Sequence, residues 1–263
     1  HIAEAKRLKI ISSVSVGYDN YNVQDLNAHQ IWLAHTPHVL TETTADLAFT
    51  LLMSAARQVP HLDRWTKTGQ WTRTASTAQF GQDIFGKTLG IIGLGHIGTA
   101  IARRGFYGFN MNIQYHNRAE KLAVAQPLNA RYCDLNTLLQ TSDFVVVAVD
   151  LNADSTALLG ANELAQMQSH AVLVNIARGS VIDENALIHA LKNKQIFAAG
   201  LDVYAKEPLQ SSELFTLDNV VTLPHIGSAT AETRTKMATL AYQNLVQALD
   251  GKTPQYLVNP HYR

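Results

Sequence analysis

The sequence has few of the features that mark secreted, membrane-embedded or nucleic-acid-binding proteins. Cys133 is the only cysteine, so no disulfide can form within the chain, which favours a reducing, cytoplasmic setting. No apolar run approaches the ~18 residues of a membrane-spanning helix, and the start has no signal-peptide pattern. Lysine plus arginine equal aspartate plus glutamate, at 21 each, so no charge excess points to nucleic acid or an anionic membrane.

The composition is that of a folded chain with a large core. Hydrophobic residues make up 46% of the 263 residues and charged residues 16%, which argues against disorder and suits one large or two modest domains. The chain starts with His1 rather than methionine and enters a strand-like run, Leu8–Val14, almost at once. We therefore expect that an N-terminal piece of the natural protein is absent.

Short apolar runs alternate with helical stretches over much of the chain. Such runs are typical of strands buried on both faces, and the alternation predicts a parallel sheet with right-handed crossovers. The predicted strands are Leu8–Val14, Leu89–Gly93, Asn112–His116, Phe144–Val149, Ala171–Asn175, Ala198–Val203 and Val220–Leu223. The predicted helices between them are Ile97–Gly108, Leu135–Thr141, Ala161–Met167 and Glu184–Lys192.

Two longer helical stretches, roughly Thr43–Trp65 and Ala231–Leu249, flank the alternating block. We expect residues 43–230 to form an α/β domain with a doubly wound parallel sheet, nested inside a smaller, split domain of residues 1–42 and 231–263. The polar stretch Thr66–Gln82 has no periodic pattern and is predicted to be a loop or arm, within a projecting segment of about residues 60–85.

A glycine-rich turn follows the second predicted strand. Residues Gly93–Gly98 match G-x-G-x-x-G and stand between a strand and a helix, the context that dinucleotide binding requires. Gly93 permits the tight turn, Gly95 lets the backbone approach a pyrophosphate, and Gly98 lets helix and strand pack closely. The alternative is a glycine-rich turn without a ligand, and the matching context counts against it.

The third predicted strand ends in His116-Asn117-Arg118, without the carboxylate that commonly binds the ribose 2′-hydroxyl of NAD. Arg118 is instead suited to a 2′-phosphate, with His116 and Asn117 as neutral or weakly basic neighbours. The sequence therefore predicts NADPH as the preferred cofactor, with NADH as a second candidate. The alternative is that Arg118 is only a solvated loop arginine.

Three ionisable residues follow three successive predicted strands. Arg178, Glu207 and His225 each come shortly after a strand, and ligands of parallel α/β sheets bind beyond the carboxyl ends of the strands. We therefore expect these three side chains to face one crevice. Asp202, near the end of the strand Ala198–Val203, is placed to bond the amide of a nicotinamide.

These residue types fit the reduction of a small 2-keto acid. Arg178 would bind the carboxylate and polarise the carbonyl, His225 would donate the proton, and Glu207 would orient the imidazole. Taken singly, each residue has a structural alternative: a surface ion pair for Arg178, a turn at Glu207, and a capped loop position for His225. Their joint placement favours the catalytic interpretation. The eleven histidines show no ligand spacing with cysteine or acid, so no metal site is predicted.

The chain resembles the D-isomer-specific 2-hydroxyacid dehydrogenase family along essentially its whole length. The resemblance implies a Rossmann domain nested in a smaller, flavodoxin-like substrate domain that is incomplete at its N-terminus. It also implies reduction of glyoxylate, hydroxypyruvate or 2-ketogluconate, and a homodimer built around the long helices and the arm. The segments that carry the resemblance are Gly90–Gly98, Asn175–Gly179, Gly200–Val203, Glu207–Pro208 and Pro224–Thr230.

The resemblance assigns residues as well as a fold. It implies that Arg178, Glu207 and His225 are catalytic, and that the loop at Val16 and Gly17 offers backbone N–H groups to the substrate carboxylate, beside Arg178 and His225. The implied cofactor contacts are Gly93, Gly95, His96, Ile97, Gly98, His116, Asn117, Arg118, Ala177, Asp202 and Gly227.

Three positions depart from the family pattern. His96 stands where close relatives carry an arginine beside the pyrophosphate, so we expect weaker or pH-dependent phosphate affinity. Thr44 replaces a usual valine near the nicotinamide, and Phe80 stands where some relatives place a tryptophan in the arm. Two other functions stay open: a dehydrogenase for another 2-hydroxy acid, and a non-enzymatic dinucleotide-sensing scaffold. The balanced charge counts against a scaffold that recruits partners.

Overall fold

The computed structural model describes residues 2–260 and divides them into two compact units. The smaller unit comprises the residues up to Thr43 together with those from Ser228 onward, and the larger unit is Thr44–Gly227. The sequence predicts domain boundaries at 42/43 and 230/231. In the structure the first boundary, 43/44, falls inside the first turn of a long helix, Thr41–Ala56, and the second, 227/228, falls just before the helix Ala231–Leu249.

The regular elements are bounded as follows. The strands are β1 (Ile10–Ser12), β2 (Trp32–Ala34), β3 (Thr88–Ile92), β4 (Asn112–His116), β5 (Arg131–Tyr132), β6 (Phe144–Val147), β7 (Val172–Asn175), β8 (Ala198–Leu201) and β9 (Val220–Thr222). The helices are α1 (Val23–Ala28), α2 (Thr41–Ala56), α3 (Val59–Lys67), α4 (His96–Arg103), α5 (Leu122–Ala125), α6 (Leu135–Thr141), α7 (Ala161–Leu164), α8 (Glu184–Lys192) and α9 (Ala231–Leu249).

The larger unit is built on a seven-stranded parallel sheet in the order β5-β4-β3-β6-β7-β8-β9. The chain winds outward in both directions from β3 and β6, which is the doubly wound arrangement predicted from the sequence. The central strands are buried, since every residue of β6, β7 and β8 is inaccessible to solvent. One apolar core includes α2 and α4, and a second includes α6 and α8, so the sheet is covered on both faces.

The smaller unit contains a two-stranded parallel sheet, with Ile10 paired to Trp32. Ile10 and Trp32 pack with Ala248 of α9, and the Ser12 hydroxyl donates to the carbonyl of Ala241 on the same helix at 2.8 Å. Near the end of the described chain, the Asn259 side chain accepts a hydrogen bond from the Leu33 N–H at 2.7 Å. These contacts join the two segments of the chain that form this unit. Within residues 2–260, no helix combines the length and apolar character needed to cross a membrane.

Two predicted helices are interrupted. The single helix predicted over Thr43–Trp65 is two helices, because Gln58 adopts a left-handed conformation (φ 52°) and Pro60 in the first turn of α3 cannot donate to a preceding carbonyl. The helix predicted over Ile97–Gly108 is α-helical only to Arg103, and Arg104–Gly108 form a π-helical turn. Two glycines in that turn weaken the preference for a regular helix.

Five of the seven predicted strands are shorter in the structure, Asn112–His116 keeps its predicted bounds, and Leu89–Gly93 is shifted by one residue to Thr88–Ile92. Two strands were not predicted. Leu8–Val14 contributes only Ile10–Ser12, and Phe144–Val149 ends at Val147. The missed strands are β2, three residues long, and β5, two exposed residues at the edge of the sheet. Such short segments have no measurable periodicity, so only their pairing partners define them.

Candidate active site

The glycine-rich turn joins β3 to α4. Gly93 has a positive φ of 103°, and a Cβ there would lie 2.5 Å from the carbonyl oxygen of Ala148. A Cβ on Gly98 would overlap the carbonyl oxygen of Gly93, so the helix can approach the strand only with glycine here. Apart from Gly95 and the chain next to it, no atom of residues 2–260 lies within 4 Å of the Cβ position of Gly95, so this side of the turn is open. An open turn at the N-terminus of α4 fits a dinucleotide pyrophosphate, with exposed His96 and half-buried Ile97 in the first helical turn.

The end of β4 lies beside this turn. The Asn117 side-chain oxygen accepts a hydrogen bond from the Leu94 N–H at 2.7 Å, which leaves the amide nitrogen as the part of that side chain able to donate to an anion. His116 bonds the carbonyl of Cys133 through Nδ1 at 3.0 Å, so Nδ1 carries the proton. Arg118 is exposed. Sequence reasoning named these residues but missed that Asn117 holds the glycine turn.

Because all seven strands are parallel, β7, β8 and β9 end at the same edge of the sheet. Arg178, Glu207 and His225 follow these three strands. The structure brings two of them into contact, since His225 Nδ1 lies 2.6 Å from Glu207 Oε2. The side chains are 47% and 32% exposed, and so accessible an ion pair adds little to stability. The arrangement instead presents an imidazole with a fixed orientation and its Nε2 turned away from the carboxylate.

Arg178 sits in a loop that Asn175 shapes. The Asn175 side chain donates to the carbonyl of Arg178 at 3.0 Å and accepts from the Ala177 N–H at 3.0 Å. The Arg178 guanidinium, half-buried, donates to the carbonyl of Ala177 at 2.8 Å. The sequence indicated Arg178 and Ala177 but gave no role to Asn175, which is 1% exposed and uses both ends of its amide in this loop.

Asp202 is buried beneath the loop that carries His225. Its two carboxylate oxygens accept hydrogen bonds from the N–H groups of Ile226, at 2.7 Å, and Gly227, at 2.8 Å. His225 itself has a positive φ of 53°, a conformation that costs energy for a residue other than glycine. The bonds to Asp202 hold the two residues that follow, so this carboxylate stabilises the loop in the conformation that directs His225 toward Glu207.

Burial also makes the contribution of the Asp202 carboxyl to stability depend on pH. Burial raises its pKa above the ordinary value of 3.8, while the N–H bonds from Ile226 and Gly227 act in the opposite direction. A raised pKa in the folded state means that this group's contribution to stability is present below pH 3.8 and is lost as the pH rises through the raised pKa.

We therefore expect the free energy of unfolding of the wild type, relative to Asp202→Asn, to fall as the pH is raised from about 4 to about 7. Urea denaturation at a series of pH values measures this difference, because the asparagine variant has no titrating group at position 202. A difference that stays constant over this pH range would contradict a raised pKa for Asp202 in the folded state.

The loop at Val16 and Gly17 belongs to the smaller unit. The carbonyl of Val16 accepts a hydrogen bond from His35 Nδ1 at 2.9 Å, and that of Gly17 accepts from the Ser15 hydroxyl at 2.7 Å. Among the described residues, the N–H groups of Val16 and Gly17 donate to no protein acceptor. The carbonyls of this loop are therefore used in hydrogen bonds within the smaller unit, and its two N–H groups are not.

The segment predicted as an arm is largely exposed. Helix α3 buries none of its residues, and Trp71, Phe80 and Phe85 are 63%, 61% and 70% exposed. A 3₁₀ turn at Thr77–Gln79 interrupts the stretch predicted to be a loop. Its far end returns to α2, where the Gln82 N–H donates to the carbonyl of Ala56 at 2.8 Å. Large exposed aromatic side chains of this kind are typical of protein–protein contact surfaces.

The part of the chain that the structure describes contains no group of three or more His, Cys, Asp or Glu side chains that could hold a metal ion. A nicotinamide dinucleotide fits the residues present better. The glycine turn offers the open backbone that a pyrophosphate needs, and the end of β4 offers hydrogen-bond donors from Asn117 and Arg118.

Comparison with known proteins gives consistent similarities over nearly the whole chain. Residues 49–227 match the family model for the D-isomer specific 2-hydroxyacid dehydrogenase, NAD binding domain. A glyoxylate/hydroxypyruvate reductase B from Shigella dysenteriae serotype 1 (strain Sd197) is 50% identical over 256 residues, which are 97% of this chain and 79% of that relative.

Two solved structures show the same fold. The TT0316 protein from Thermus thermophilus superposes with a TM-score of 0.90 at 39% identity, over 98% of this chain and 81% of its own. The NADPH-dependent glyoxylate/hydroxypyruvate reductase from Sinorhizobium meliloti, in complex with NADP and malonate, superposes with a TM-score of 0.88 at 35% identity. That match covers 96% of this chain and 78% of the other.

Proposed function

Because this chain belongs to the D-isomer-specific 2-hydroxyacid dehydrogenase family, we propose that with NADPH it reduces glyoxylate to the achiral glycolate, and hydroxypyruvate to a D-2-hydroxy acid. Family membership makes it an NAD(P)-dependent oxidoreductase that acts on small 2-keto acids. The observation that carries the choice of chemistry is the 2.6 Å contact between His225 Nδ1 and Glu207 Oε2, at the sheet edge where the glycine turn also lies. 2-Ketogluconate is a further candidate substrate.

A bound nicotinamide dinucleotide supplies the hydride, and the chain supplies the proton and the substrate contacts. His225 donates a proton from Nε2 to the carbonyl oxygen as that oxygen gains negative charge. Glu207 accepts the hydrogen bond from Nδ1, so it orients the ring and directs Nε2 away from the carboxylate. The carbonyl becomes a hydroxyl, and the imidazole is left neutral until it takes a proton from solvent.

Arg178 binds the substrate carboxylate and polarises the carbonyl. Its planar guanidinium has several donors, so it can hold a carboxylate while one N–H faces the carbonyl oxygen. We assign the N–H groups of Val16 and Gly17 to the substrate carboxylate as well. Asn175 positions Arg178 through the loop contacts described above.

We assign the cofactor, together with Arg178, Glu207 and His225, to the larger unit, residues Thr44–Gly227, as a dinucleotide-binding domain, and the loop at Val16 and Gly17 to the smaller unit, as the substrate domain. The glycine turn would hold the pyrophosphate, and Arg118, with His116 and Asn117, would bind the 2′-phosphate that distinguishes NADPH from NADH. We also propose that Asp202 contacts the nicotinamide amide. Its carboxylate oxygens have lone pairs that the hydrogen bonds from Ile226 and Gly227 do not use. The remaining proposed cofactor contacts are Gly93, Gly95, His96, Ile97, Gly98, Ala177 and Gly227.

The 2′-phosphate assignment predicts a change of cofactor preference. In Arg118→Asp, we expect the ratio of kcat/KM for NADPH to that for NADH to fall about ten- to a hundredfold, because a charge-assisted hydrogen bond is replaced by repulsion. Steady-state kinetics with both cofactors measures the ratio. Lys194→Asp makes the same change of charge at an exposed position between α8 and β8, and it should leave the ratio unchanged. An unchanged ratio in Arg118→Asp would show that this arginine does not bind the 2′-phosphate.

We further propose a cytoplasmic homodimer in which a second copy covers the exposed arm. The support is the set of aromatic side chains Trp71, Phe80 and Phe85, which one chain leaves largely in water. Sedimentation velocity at assay concentrations tests the oligomeric state. A monomeric mass would overturn the dimer and leave the proposed reaction standing.

The reaction is tested by following NADPH absorbance with a panel of 2-keto acids that includes glyoxylate, hydroxypyruvate and 2-ketogluconate. We expect turnover with the first two substrates. Chiral analysis of the glycerate formed from hydroxypyruvate should find the D enantiomer, whereas the glycolate formed from glyoxylate has no stereocentre. Binding of NADPH without turnover of any 2-keto acid would refute the proposal and favour the dinucleotide-sensing scaffold.

A further inference from the structure

We propose that Tyr204 is a positioning residue that holds the strand ends carrying Arg178, Glu207 and His225 in their working arrangement, an inference that rests on the proposed function. Tyr204 lies at the end of β8, between the strands that precede Arg178 and His225. One residue at this place can contact both neighbouring strand ends. Its contacts reach all three, through its N–H group, its hydroxyl and its carbonyl.

The first contact fixes the carboxylate. The Tyr204 N–H donates to Glu207 Oε1 at 3.0 Å, while the other oxygen, Oε2, accepts from His225 Nδ1 at 2.6 Å. Each oxygen of the carboxylate therefore has a separate partner. The backbone of Tyr204 sets the plane of the Glu207 carboxylate, and through it the orientation of the imidazole.

The second contact fixes the strand end that carries His225. The Tyr204 hydroxyl donates to the carbonyl of Leu223 at 2.8 Å, two residues before His225. Tyr204 is only 9% exposed, and burial, followed by the nearby Asp202 charge, raises its pKa to about 12. The hydroxyl therefore stays protonated and remains a donor throughout the working pH range.

The third contact concerns the Arg178 loop. Gly179 follows Arg178 directly, and a Cβ on this glycine would overlap the carbonyl group of Tyr204 and the nitrogen of Ala205. The backbone of the Arg178 loop is therefore packed tightly against that of Tyr204. A shift of Tyr204 would displace this loop together with Glu207 and His225.

A second buried tyrosine offers a matched control. Tyr115 on β4 is fully buried, and its hydroxyl accepts a hydrogen bond from the Lys121 N–H at 2.9 Å. It has no hydrogen bond to Arg178, Glu207 or His225 among the contacts of the described residues. Tyr115→Phe and Tyr204→Phe thus each remove one buried hydroxyl, and only the second affects the site.

The experiment compares these two variants as full-length proteins, with glyoxylate and NADPH. For Tyr204→Phe, we expect kcat to fall about tenfold, because the imidazole is no longer held at its best position, with KM for glyoxylate and Kd for NADPH unchanged. For Tyr115→Phe, we expect kcat to stay at the wild-type value even where Tm falls. Wild-type kcat in Tyr204→Phe, or an equal loss of kcat in both variants, would overturn the inference.

A second measurement separates positioning from general loosening of the structure. With NADPH deuterated at the transferred position, the isotope effect on kcat should be larger in Tyr204→Phe than in the wild type, because the chemical step has become slower. An unchanged isotope effect together with a lower kcat would assign the loss to another step and refute the positioning role. His225→Gln, assayed in parallel, distinguishes the two failures: if it too keeps wild-type kcat, His225 is not the proton donor, and the failure lies in the proposed mechanism rather than in Tyr204 alone.

Discussion

Replacement of His225 by glutamine is expected to lower kcat for glyoxylate reduction about a thousandfold, the loss typical of removing a general acid. Glutamine keeps a polar side chain next to Glu207 but cannot transfer a proton at neutral pH. The position is half exposed, so the substitution should leave the fold intact. We expect the Kd of NADPH to be unchanged, since the contacts of the glycine turn do not involve His225.

Steady-state kinetics and fluorescence titration with NADPH check the two halves of this prediction. Glu207→Gln is the informative companion, because it retains the proton donor and removes only the charge that orients it. We expect a smaller loss of kcat there than in His225→Gln. If His225→Gln retained kcat within a few-fold of the wild type, proton donation would have to come from another group.

The second large effect is expected at Arg178. Arg178→Gln should lower kcat/KM for glyoxylate by about two to three orders of magnitude, because it removes the charged donor aimed at the carbonyl oxygen and the substrate carboxylate. The Kd of NADPH should change little. The half-buried guanidinium already donates to the carbonyl of Ala177, which limits its freedom before substrate binds.

Arg178→Lys is the control for charge alone. Lysine restores the positive charge but has a point-like ammonium group in place of the planar fork, so we expect only part of kcat/KM to return. Full recovery with lysine would show that charge, and not bidentate geometry, is what the substrate requires. An Arg178→Gln enzyme with wild-type kcat/KM would remove this residue from the site.

The sequence by itself determined the larger unit. Nearly continuous apolar runs at Phe144–Val149 and Ala171–Asn175 predicted buried parallel strands, because a strand covered on both faces has no polar side. The glycine spacing at Gly93–Gly98 predicted the turn, since Gly98 packs against the carbonyl of Gly93, five residues earlier, and Gly95 leaves its side of the turn open. The doubly wound parallel sheet was confirmed for the same reason.

The tertiary structure alone decided which groups meet. That His225 contacts Glu207, that Asp202 bonds the backbone after His225, and that the Tyr204 hydroxyl reaches Leu223 all depend on β8 and β9 being neighbours. Periodicity reports which face of an element is buried and carries no information on which elements lie side by side. The residues of the candidate site were therefore visible in the sequence, whereas the hydrogen bonds that orient them arise only when distant strand ends are brought together.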